Sequence, residues 1–376
     1  MNEIIKKKIL EIAQRDSNPF YVYDSSEIAN NCKQFTQIPW EKKLITFASM
    51  ANATPGFLNI VKDNGLGIFI NSKGHMDIAH KCGFKGHQMV FTSSGMSEAS
   101  MKQVHESGAY INLDSISQVK KWKSLFPKSP LGIRCNIGDL VNPVKTRGGY
   151  FLGKSSRLGL TLDEIKSLSG DTDIEGLHLY LGTDILDIDY YRQCYNHIAE
   201  LSSLFPHLKY LDFGGGFGVE TPDGNIFDFA EYGKAVSSIM KAVSESRGEE
   251  ILLILEPGRI IGGQSAWFVV QVTDVKNRNC DQFVGVNAST AQFTRPLMYP
   301  DDAYHPVTVL SETPDKKTKN THIFGCSTYS RDFFATDITL PEAHEGMILA
   351  FGHAGSYCAS SYTTFLGFEK ASEYFI

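Results

Sequence analysis

A glycine run and a carboxylate followed by an arginine are the segments of this sequence best suited to chemistry. Residues 214–216 are all glycine, and they directly follow an apolar run that ends at Phe213. Bare glycine amides let a phosphate approach the backbone closely, although such a run is more often only a tight turn. Glu256 is followed by Pro, Gly and Arg259, so a carboxylate for a protonated ring nitrogen and a phosphate-binding arginine lie together. The plainer interpretation of that segment is a turn with a surface ion pair.

Both segments follow predicted β-strands. Short apolar runs, each followed by a turn and usually a helical pattern, repeat through the first two thirds of the chain. We predict strands at residues 44–49, 67–70, 89–92, 110–113, 131–135, 174–181, 210–213 and 251–255. Eight strands are the number that closes a (β/α)8 TIM-like barrel of the α/β class, and chemistry in such barrels lies at the carboxyl ends of the strands.

Beyond Glu256 the sequence is rich in β patterns with few helices between them, which predicts a C-terminal antiparallel β domain. We predict its strands at residues 267–275, 283–287, 307–310, 321–324 and 347–351. Residues 18–24 are also strand-like and precede the barrel, so we expect them to pair with this domain. The predicted domains are therefore a barrel at 26–264 and a β domain formed by 1–25 and 265–376.

The composition excludes several classes of protein. With 376 residues and a net charge of −6, and without a basic run, the chain is not expected to bind nucleic acid. Seven cysteines without a CxxC pair indicate reduced thiols and no zinc site. No apolar run approaches membrane-spanning length, and the N-terminus lacks the pattern of a signal peptide. We expect a cytoplasmic protein that acts on a small molecule.

A series of motifs in a fixed order extends over nearly the whole chain. They are the segments 44–52, 72–74, 134–136, 156–159, 176–183, 214–218, 256–259, 295–305 and 354–357. This series resembles the alanine-racemase-like pyridoxal enzymes, specifically the ornithine/diaminopimelate decarboxylase branch. The resemblance implies a barrel with a β domain, pyridoxal 5'-phosphate as cofactor, and a head-to-tail homodimer whose sites are shared between subunits.

The resemblance also assigns roles to individual residues. Those implied at the cofactor are Tyr180 on the ring, Glu256 at the ring nitrogen, and Thr183, Gly214, Gly215, Gly216, Arg259 and Tyr357 at the phosphate. Those implied at the substrate are Arg295, Tyr299, Tyr304 and Tyr329. The substrate class that it implies is an amino acid, or an amino-acid conjugate, with a carboxylate on a long arm.

Departures from the family pattern cluster around the reactive face of the cofactor. Met50 stands where the family has the lysine that binds the cofactor covalently, and a thioether cannot take that role. Phe69 replaces an aspartate, His75 a glutamate, Tyr180 a histidine and Met96 a second lysine. Five departures favour natural divergence over a single engineered Lys→Met change. The plain interpretation of Met50 and of Phe69 is apolar packing.

The family's catalytic acid lies in a Cys-x-x-x-Asp segment of the β domain, and its match here is ambiguous. If Asp332 is aligned with the aspartate, Thr328 takes the cysteine's position and Cys326 lies two residues upstream. Either Cys326 acts as the acid or a hydroxyl has replaced the thiol. Tyr329 stands where an acidic residue would meet a distal amine, which weakens the case for a diamine precursor.

Three hypotheses about function follow. The first is a divergent decarboxylase-like lyase that binds pyridoxal phosphate non-covalently. The second is a pseudoenzyme that keeps the pocket and binds a ligand without turnover. The third is a pocket rebuilt for another cofactor, such as haem or a metal, with donor atoms from His75, His178, Tyr180 and Cys326. No local ligand spacing such as HExxH supports the third hypothesis, and pocket histidines are more often simply hydrogen-bonded.

Overall fold

The structure is a computed structural model that describes residues 1–142, 151–300, 303–311 and 317–376. Its helices are α1 Glu3–Ala13, α2 Ser25–Thr36, α3 Pro55–Asp63, α4 Lys73–Lys81, α5 Glu98–Ser107, α6 Ile116–Leu125, α7 Leu162–Ser167, α8 Ile188–Leu201, α9 Phe229–Arg247, α10 Arg259–Gly262 and α11 Arg295–Met298. Its strands are β1 Phe20–Tyr23, β2 Lys43–Ala48, β3 Gly67–Ile70, β4 Met89–Thr92, β5 Tyr110–Leu113, β6 Leu131–Arg134, β7 Ile174–His178, β8 Tyr210–Asp212, β9 Leu252–Leu255, β10 Ala266–Arg278, β11 Asp281–Val286, β12 Val307–Val309, β13 Thr318–Phe324, β14 Phe333–Pro341, β15 Ile348–Phe351 and β16 Ser372–Phe375. The chain divides into two compact units, Ala29–Ile261 and Met1–Ile28 with Gly262–Ile376.

The first unit is a closed barrel of eight parallel strands, β2 to β9 in chain order. It closes where β9 pairs with β2, with Lys43 opposite Leu253. The predicted (β/α)8 barrel is therefore confirmed. The predicted strand at 174–181 was too long, because β7 ends at His178 and the chain then turns into the loop before α8.

The helices around the barrel begin with the same local device. A serine, threonine or aspartate side chain accepts a backbone N–H bond at the starts of α4 to α9, and these caps are Ser72, Ser97, Ser115, Thr161, Asp187 and Asp228. Such a cap satisfies a backbone donor that the first helical turn leaves unpaired. The short polar residues that follow the apolar runs thus fix where each helix begins.

Tyr210 fills the interior of the barrel and explains two glycines. A Cβ at Gly176 would lie 1.9 Å from Cζ of Tyr210, and a Cβ at Gly132 would lie 2.2 Å from its hydroxyl oxygen. The hydroxyl donates to the Asn112 Oδ1, 3.0 Å away. The ring packs with Val90 and Ile254 and against partly buried hydrophobic side chains. One large side chain on β8 therefore requires the absence of side chains on β6 and β7.

The second unit is a mostly antiparallel sheet of eight strands, with β12, β15, β10, β11, β13 and β14 in that order. The N-terminal strand β1 pairs antiparallel with β10, as the sequence predicted, and parallel with β16. β11 and β13 are also parallel, and the other pairings of this sheet are antiparallel, so the predicted antiparallel β domain is confirmed. The sequence analysis predicted no strand at β14 or β16, and neither segment shows a regular alternation of buried and exposed residues.

In the described part of the chain, no helix combines the length and the apolar character needed to cross a membrane.

Packing around Tyr210 gives a stability prediction. Gly176→Ala places a methyl group inside the Tyr210 ring, so we expect it to lower the free energy of unfolding by about 1–3 kcal/mol. Gly74→Ala is the matched control, because Gly74 lies in α4 and a Cβ there meets only the Ser72 Oγ at 4.0 Å. The control should be neutral or stabilise by up to about 1 kcal/mol. Equal denaturation midpoints for the two variants would contradict this account of the barrel interior.

Candidate functional site

Five ionisable side chains come together at the carboxyl end of the barrel. Arg134, His178 and Asp212 are the last residues of β6, β7 and β8, and Asp114 and Glu256 directly follow β5 and β9. The ligand atoms of His178, Asp212 and Glu256 all lie within 4.8 Å of one another, and all three residues are buried. Parallel strands end at one edge of the barrel, so residues up to 142 positions apart (256 minus 114) meet there.

Asp212 and Glu256 form a buried carboxyl pair. Asp212 accepts hydrogen bonds from the Asn112 Nδ2 at 2.8 Å and from the Gly214 N–H at 3.0 Å. Burial, reinforced by the charge of Glu256, raises the pKa of Asp212 well above its ordinary value. Burial also raises the pKa of Glu256 to about 7, against the opposing effects of its hydrogen bond with Asp212 and of the Arg134 charge. A proton between the two carboxyl groups keeps both from being ionised together.

His178 lies beside this pair as a neutral imidazole. Its Nε2 is 3.5 Å from a Glu256 carboxylate oxygen, and burial lowers its pKa to about 4. Within the described residues, neither ring nitrogen has a hydrogen-bond partner, and neither does the Glu256 Oε1. Buried polar atoms are normally paired, so these orphaned atoms suit a ligand with polar groups of its own. A carboxylate oxygen without a partner is what a protonated ring nitrogen requires.

The glycine run follows β8, and each glycine in it is required by a close backbone approach. A Cβ at Gly214 would lie 2.2 Å from the Leu179 carbonyl oxygen. A Cβ at Gly215 would lie 2.5 Å from the Glu256 carbonyl oxygen, and a Cβ at Gly216 would lie 2.6 Å from the Gly182 carbonyl oxygen. Within the described residues no hydrogen bond uses the N–H groups of Gly215 and Gly216. The run therefore joins the ends of three strands and leaves two amides for an anion.

Arg259 lies at the start of α10 and is not a free cation. Its guanidinium forms an ion pair with the Asp184 carboxylate in the loop after β7. The sequence gives no sign of this partner, and the phosphate role expected for Arg259 stays a prediction. Thr183, beside this pair, is half-buried.

The residues that depart from the family pattern have mixed surroundings. Met50 is 41% exposed after β2, which its plain interpretation as apolar packing does not predict. Phe69 packs against the core cluster inside the barrel, as its plain interpretation predicted. The His75 Nδ1 lies 2.9 Å from the Asn71 Oδ1, and burial lowers the His75 pKa. Tyr180 stacks edge-on against Phe151 at 5.1 Å.

A second polar cluster lies in the β unit around Asp332. This buried carboxylate accepts bonds from the backbone and hydroxyl of Thr290, both at 2.7 Å, from the Ser289 hydroxyl, and from the backbone and hydroxyl of Ser327. A Cβ at Gly325 would collide with the carboxylate at 2.3 Å. Both oxygens of Asp332 are thus occupied by its own loop and by the segment after β11.

The loop that Asp332 holds carries the candidate acids. Cys326 and Thr328 are both exposed, and burial together with the Asp332 charge raises the pKa of the Cys326 thiol. Tyr329 packs edge-on against the exposed Phe365, with ring centroids 5.6 Å apart. Cys326 is therefore protonated at neutral pH and has a proton to give.

The expected substrate residues lie elsewhere in the same unit. Arg295 is buried with its guanidinium 3.4 Å from the His305 Nε2 and 6.0 Å from the Tyr299 ring centroid. Tyr304 is exposed and contacts the ring of His353. Tyr357, which the resemblance places at the phosphate, adopts a left-handed backbone conformation with φ of 57°.

Sequence reasoning missed three residues that shape the barrel end: Asp114, Asp184 and Asp212. Asp114 accepts bonds from the Ser94 hydroxyl and the Gly159 N–H and lies 3.5 Å from Arg134. Asp212 had a signal, because it is a charged residue in an apolar run just before the glycines. Asp184 had none, because nothing in the sequence links it to Arg259.

Comparison with known proteins places this chain in a family. Residues 25–263 match the family model described as pyridoxal-dependent decarboxylase, pyridoxal binding domain. A probable chloroplastic diaminopimelate decarboxylase of Oryza sativa subsp. japonica is 26% identical over 96% of this chain and 75% of its own length. The diaminopimelate decarboxylase of Methanothermobacter thermautotrophicus is 27% identical over 93% of this chain and 85% of its own length.

Solved structures share the fold at lower identity. Diaminopimelate decarboxylase from Helicobacter pylori complexed with L-lysine superposes with a TM-score of 0.85 at 24% identity, over 98% of this chain and 94% of that one. Lysine/ornithine decarboxylase from Vibrio vulnificus complexed with putrescine gives 0.84 at 16% identity, over 100% and 99%. The family model covers more than half of the chain, and the architecture agrees throughout. This chain therefore belongs to the pyridoxal-dependent decarboxylase family.

Proposed function

We propose that this chain is a divergent decarboxylase-like lyase that holds pyridoxal phosphate non-covalently and acts on an amino acid or an amino-acid conjugate. The observation that carries the proposal is the buried Glu256, whose Oε1 has no partner among the described residues and which follows the strand beside the glycine run. This oxygen suits a protonated ring nitrogen, and the N–H groups of Gly215 and Gly216 suit an anion. An acceptor for the ring nitrogen and two N–H donors for the phosphate support the proposal.

The residues of the barrel end have distinct tasks in this proposal. Pyridoxal phosphate, when bound, supplies an electron sink for the bond that breaks at the substrate's α-carbon. Glu256 holds the proton at the ring nitrogen, and Asp212 keeps that carboxylate in place. The neutral His178 adds no charge beside them. Tyr180, with the Arg134 guanidinium 5.7 Å from its ring centroid, contributes an aromatic surface for the ring.

Met50 sets the limit on turnover. Without an amine at this position the substrate must condense with the aldehyde directly, and a group that normally moves protons is lost. We expect this loss to slow a decarboxylation by several powers of ten, on the order of 10²–10⁴ for the proton transfers alone. The missing amine at residue 50 also supports a second candidate, a pseudoenzyme that binds the ligand without turnover.

We further propose that Cys326 is the acid, because it carries a protonated thiol on an exposed loop that Asp332 holds. The family resemblance supports a homodimer with shared sites. Arg295, Tyr299, Tyr304 and Tyr329 are the proposed contacts to the distal end of the substrate, with Arg295 suited to a carboxylate.

Pyridoxal phosphate binding tests the proposal directly. The purified chain should bind added cofactor, keep a free-aldehyde absorbance band, and show no protein mass increase after borohydride reduction. Met50→Lys should create a link that borohydride traps, with one cofactor mass added at residue 50 in peptide mass spectrometry. Met298→Lys, at another exposed methionine in the β unit, is the control and should gain no such link.

Absence of cofactor uptake by both the unmodified chain and Met50→Lys would refute the pyridoxal proposal. A Soret-type or metal-dependent band in the purified protein would point instead to a pocket rebuilt for haem or a metal. Binding without any product from a panel of amino acids in the unmodified chain, with product from Met50→Lys, would establish the pseudoenzyme.

The raised pKa of Glu256 predicts a pH dependence of stability. Between its ordinary value of 4.5 and about 7, the unfolded chain releases the Glu256 proton while the native state keeps it. The stabilising contribution is therefore complete below about pH 4.5 and is lost as pH rises to about 7. Glu256→Gln should reduce this slope and raise the free energy of unfolding at pH 8 by on the order of 1–3 kcal/mol, measured by denaturant titration. Glu245→Gln, on the exposed face of α9, should leave the slope unchanged.

The bonding of Asp332 predicts a structural effect of its removal. Asp332→Asn replaces an acceptor oxygen by a donor amide opposite the donors of Thr290 or Ser327, so we expect a loss of at least about 2 kcal/mol of unfolding free energy. Asp337→Asn, at an exposed position in β14, should change it by less than about 0.5 kcal/mol. Matching stabilities of the two variants would show that Asp332 has a purely chemical role.

A further inference from the structure

The Asp184–Arg259 ion pair lies where an anion would be expected to meet the barrel. The loop that carries Asp184 runs along the glycine run, because the Ile185 N–H donates to the Gly216 carbonyl oxygen and the Gly218 N–H donates to the Ile185 carbonyl oxygen, both at 2.9 Å. Arg259 follows Glu256 by three residues on the other side of the run. The pair therefore borders the same two amides that suit an anion.

The Asp184 carboxylate has only part of its bonding satisfied. Oδ2 is bound to the Arg259 guanidinium, whereas Oδ1 is buried with no hydrogen-bond partner among the described residues. The hydroxyl of Tyr191 is also buried and, within the described residues, has no partner. A carboxylate oxygen can only accept hydrogen bonds, so the unfilled partner of Oδ1 is a donor.

Charge at this position works against a phosphate ester. A phosphate monoester is close to a dianion at neutral pH, and it binds where cations and N–H groups outnumber acceptors. Here Asp184 neutralises the Arg259 guanidinium and adds an acceptor oxygen. A neutral hydroxymethyl group, by contrast, can donate its hydrogen to Oδ1.

We propose that Asp184 is a specificity-determining residue that reduces the preference of this site for a phosphate ester over the free alcohol of the same ring ligand. The proposal rests on the proposed function, because it takes the pyridoxal-type ring to bind at Glu256. It narrows the ligand to pyridoxal-type rings for which the phosphate ester contributes little to affinity over the free hydroxymethyl group. The backbone at Asp184 has φ of 57°, which aspartate and asparagine tolerate better than other side chains.

Paired ligands that differ only in the phosphate test this directly. Pyridoxine and pyridoxine phosphate lack the aldehyde, so neither reacts with surface lysines. Their dissociation constants for the full chain are measured by calorimetry at pH 8 and fixed ionic strength. We expect the dissociation constants of the two ligands for the unmodified chain to differ by less than about tenfold. Asp184→Asn should lower the dissociation constant of pyridoxine phosphate by at least about tenfold, and should leave that of pyridoxine unchanged or higher.

Asp189→Asn is the matched control, because it removes one aspartate charge paired with an arginine, Arg192, at an exposed position of α8. It should change neither constant. A phosphate preference of more than about a thousandfold in the unmodified chain, or an identical ratio in Asp184→Asn, would overturn the role of Asp184 and leave the proposed function standing. Failure of both ligands to bind the unmodified chain would overturn the proposed function and this inference with it.

Discussion

Two carboxyl groups buried side by side, Asp212 and Glu256, are the constraint on which the barrel end depends. A buried carboxylate without a partner is costly, and two adjacent ones are more costly still. The chain meets that cost with donors supplied by the fold itself: the Asn112 amide and the Gly214 N–H on Asp212. The Asn112 amide is in turn oriented by the Tyr210 hydroxyl, so the core of the barrel and the pocket share one hydrogen-bond network. Such a network rigidifies the pocket because every member fixes the next.

The arginines around that pair are also matched by carboxylates. Arg134 lies near Asp114, and Arg259 is bound to Asp184, so both arginines have a carboxylate of their own. Met50 is an uncharged residue after β2, so this position adds no positive charge. Among the described residues the Glu256 Oε1 has no hydrogen-bond partner, in contrast to these paired charges.

In the β unit, the segment from Cys326 to Asp332 contains both a buried anchoring residue and exposed residues. Asp332 has the position of a chemical residue in the family pattern, but its carboxylate is saturated by Thr290, Ser289 and Ser327. These hydrogen bonds hold the loop on which Cys326 and Thr328 are exposed. The buried Asp332 carboxylate and the exposed Cys326 thiol thus have different surroundings, because a loop anchor needs burial and a reactive thiol needs access.

The sequence by itself determined the architecture of this protein. The alternation of apolar runs and helices predicted the barrel, and the order of its motifs predicted the family, because strand spacing and motif order are properties of the chain. It also located Glu256 and the glycine run, since both directly follow an apolar strand. What only the tertiary structure decided was which residues become neighbours: that Arg259 is bound to Asp184, that Asp212 and Glu256 are buried side by side, and that Met50 is exposed after β2. Those facts depend on distances between strand ends that are 44 to 75 residues apart in sequence (256 minus 212 and 259 minus 184), and no local pattern encodes such distances.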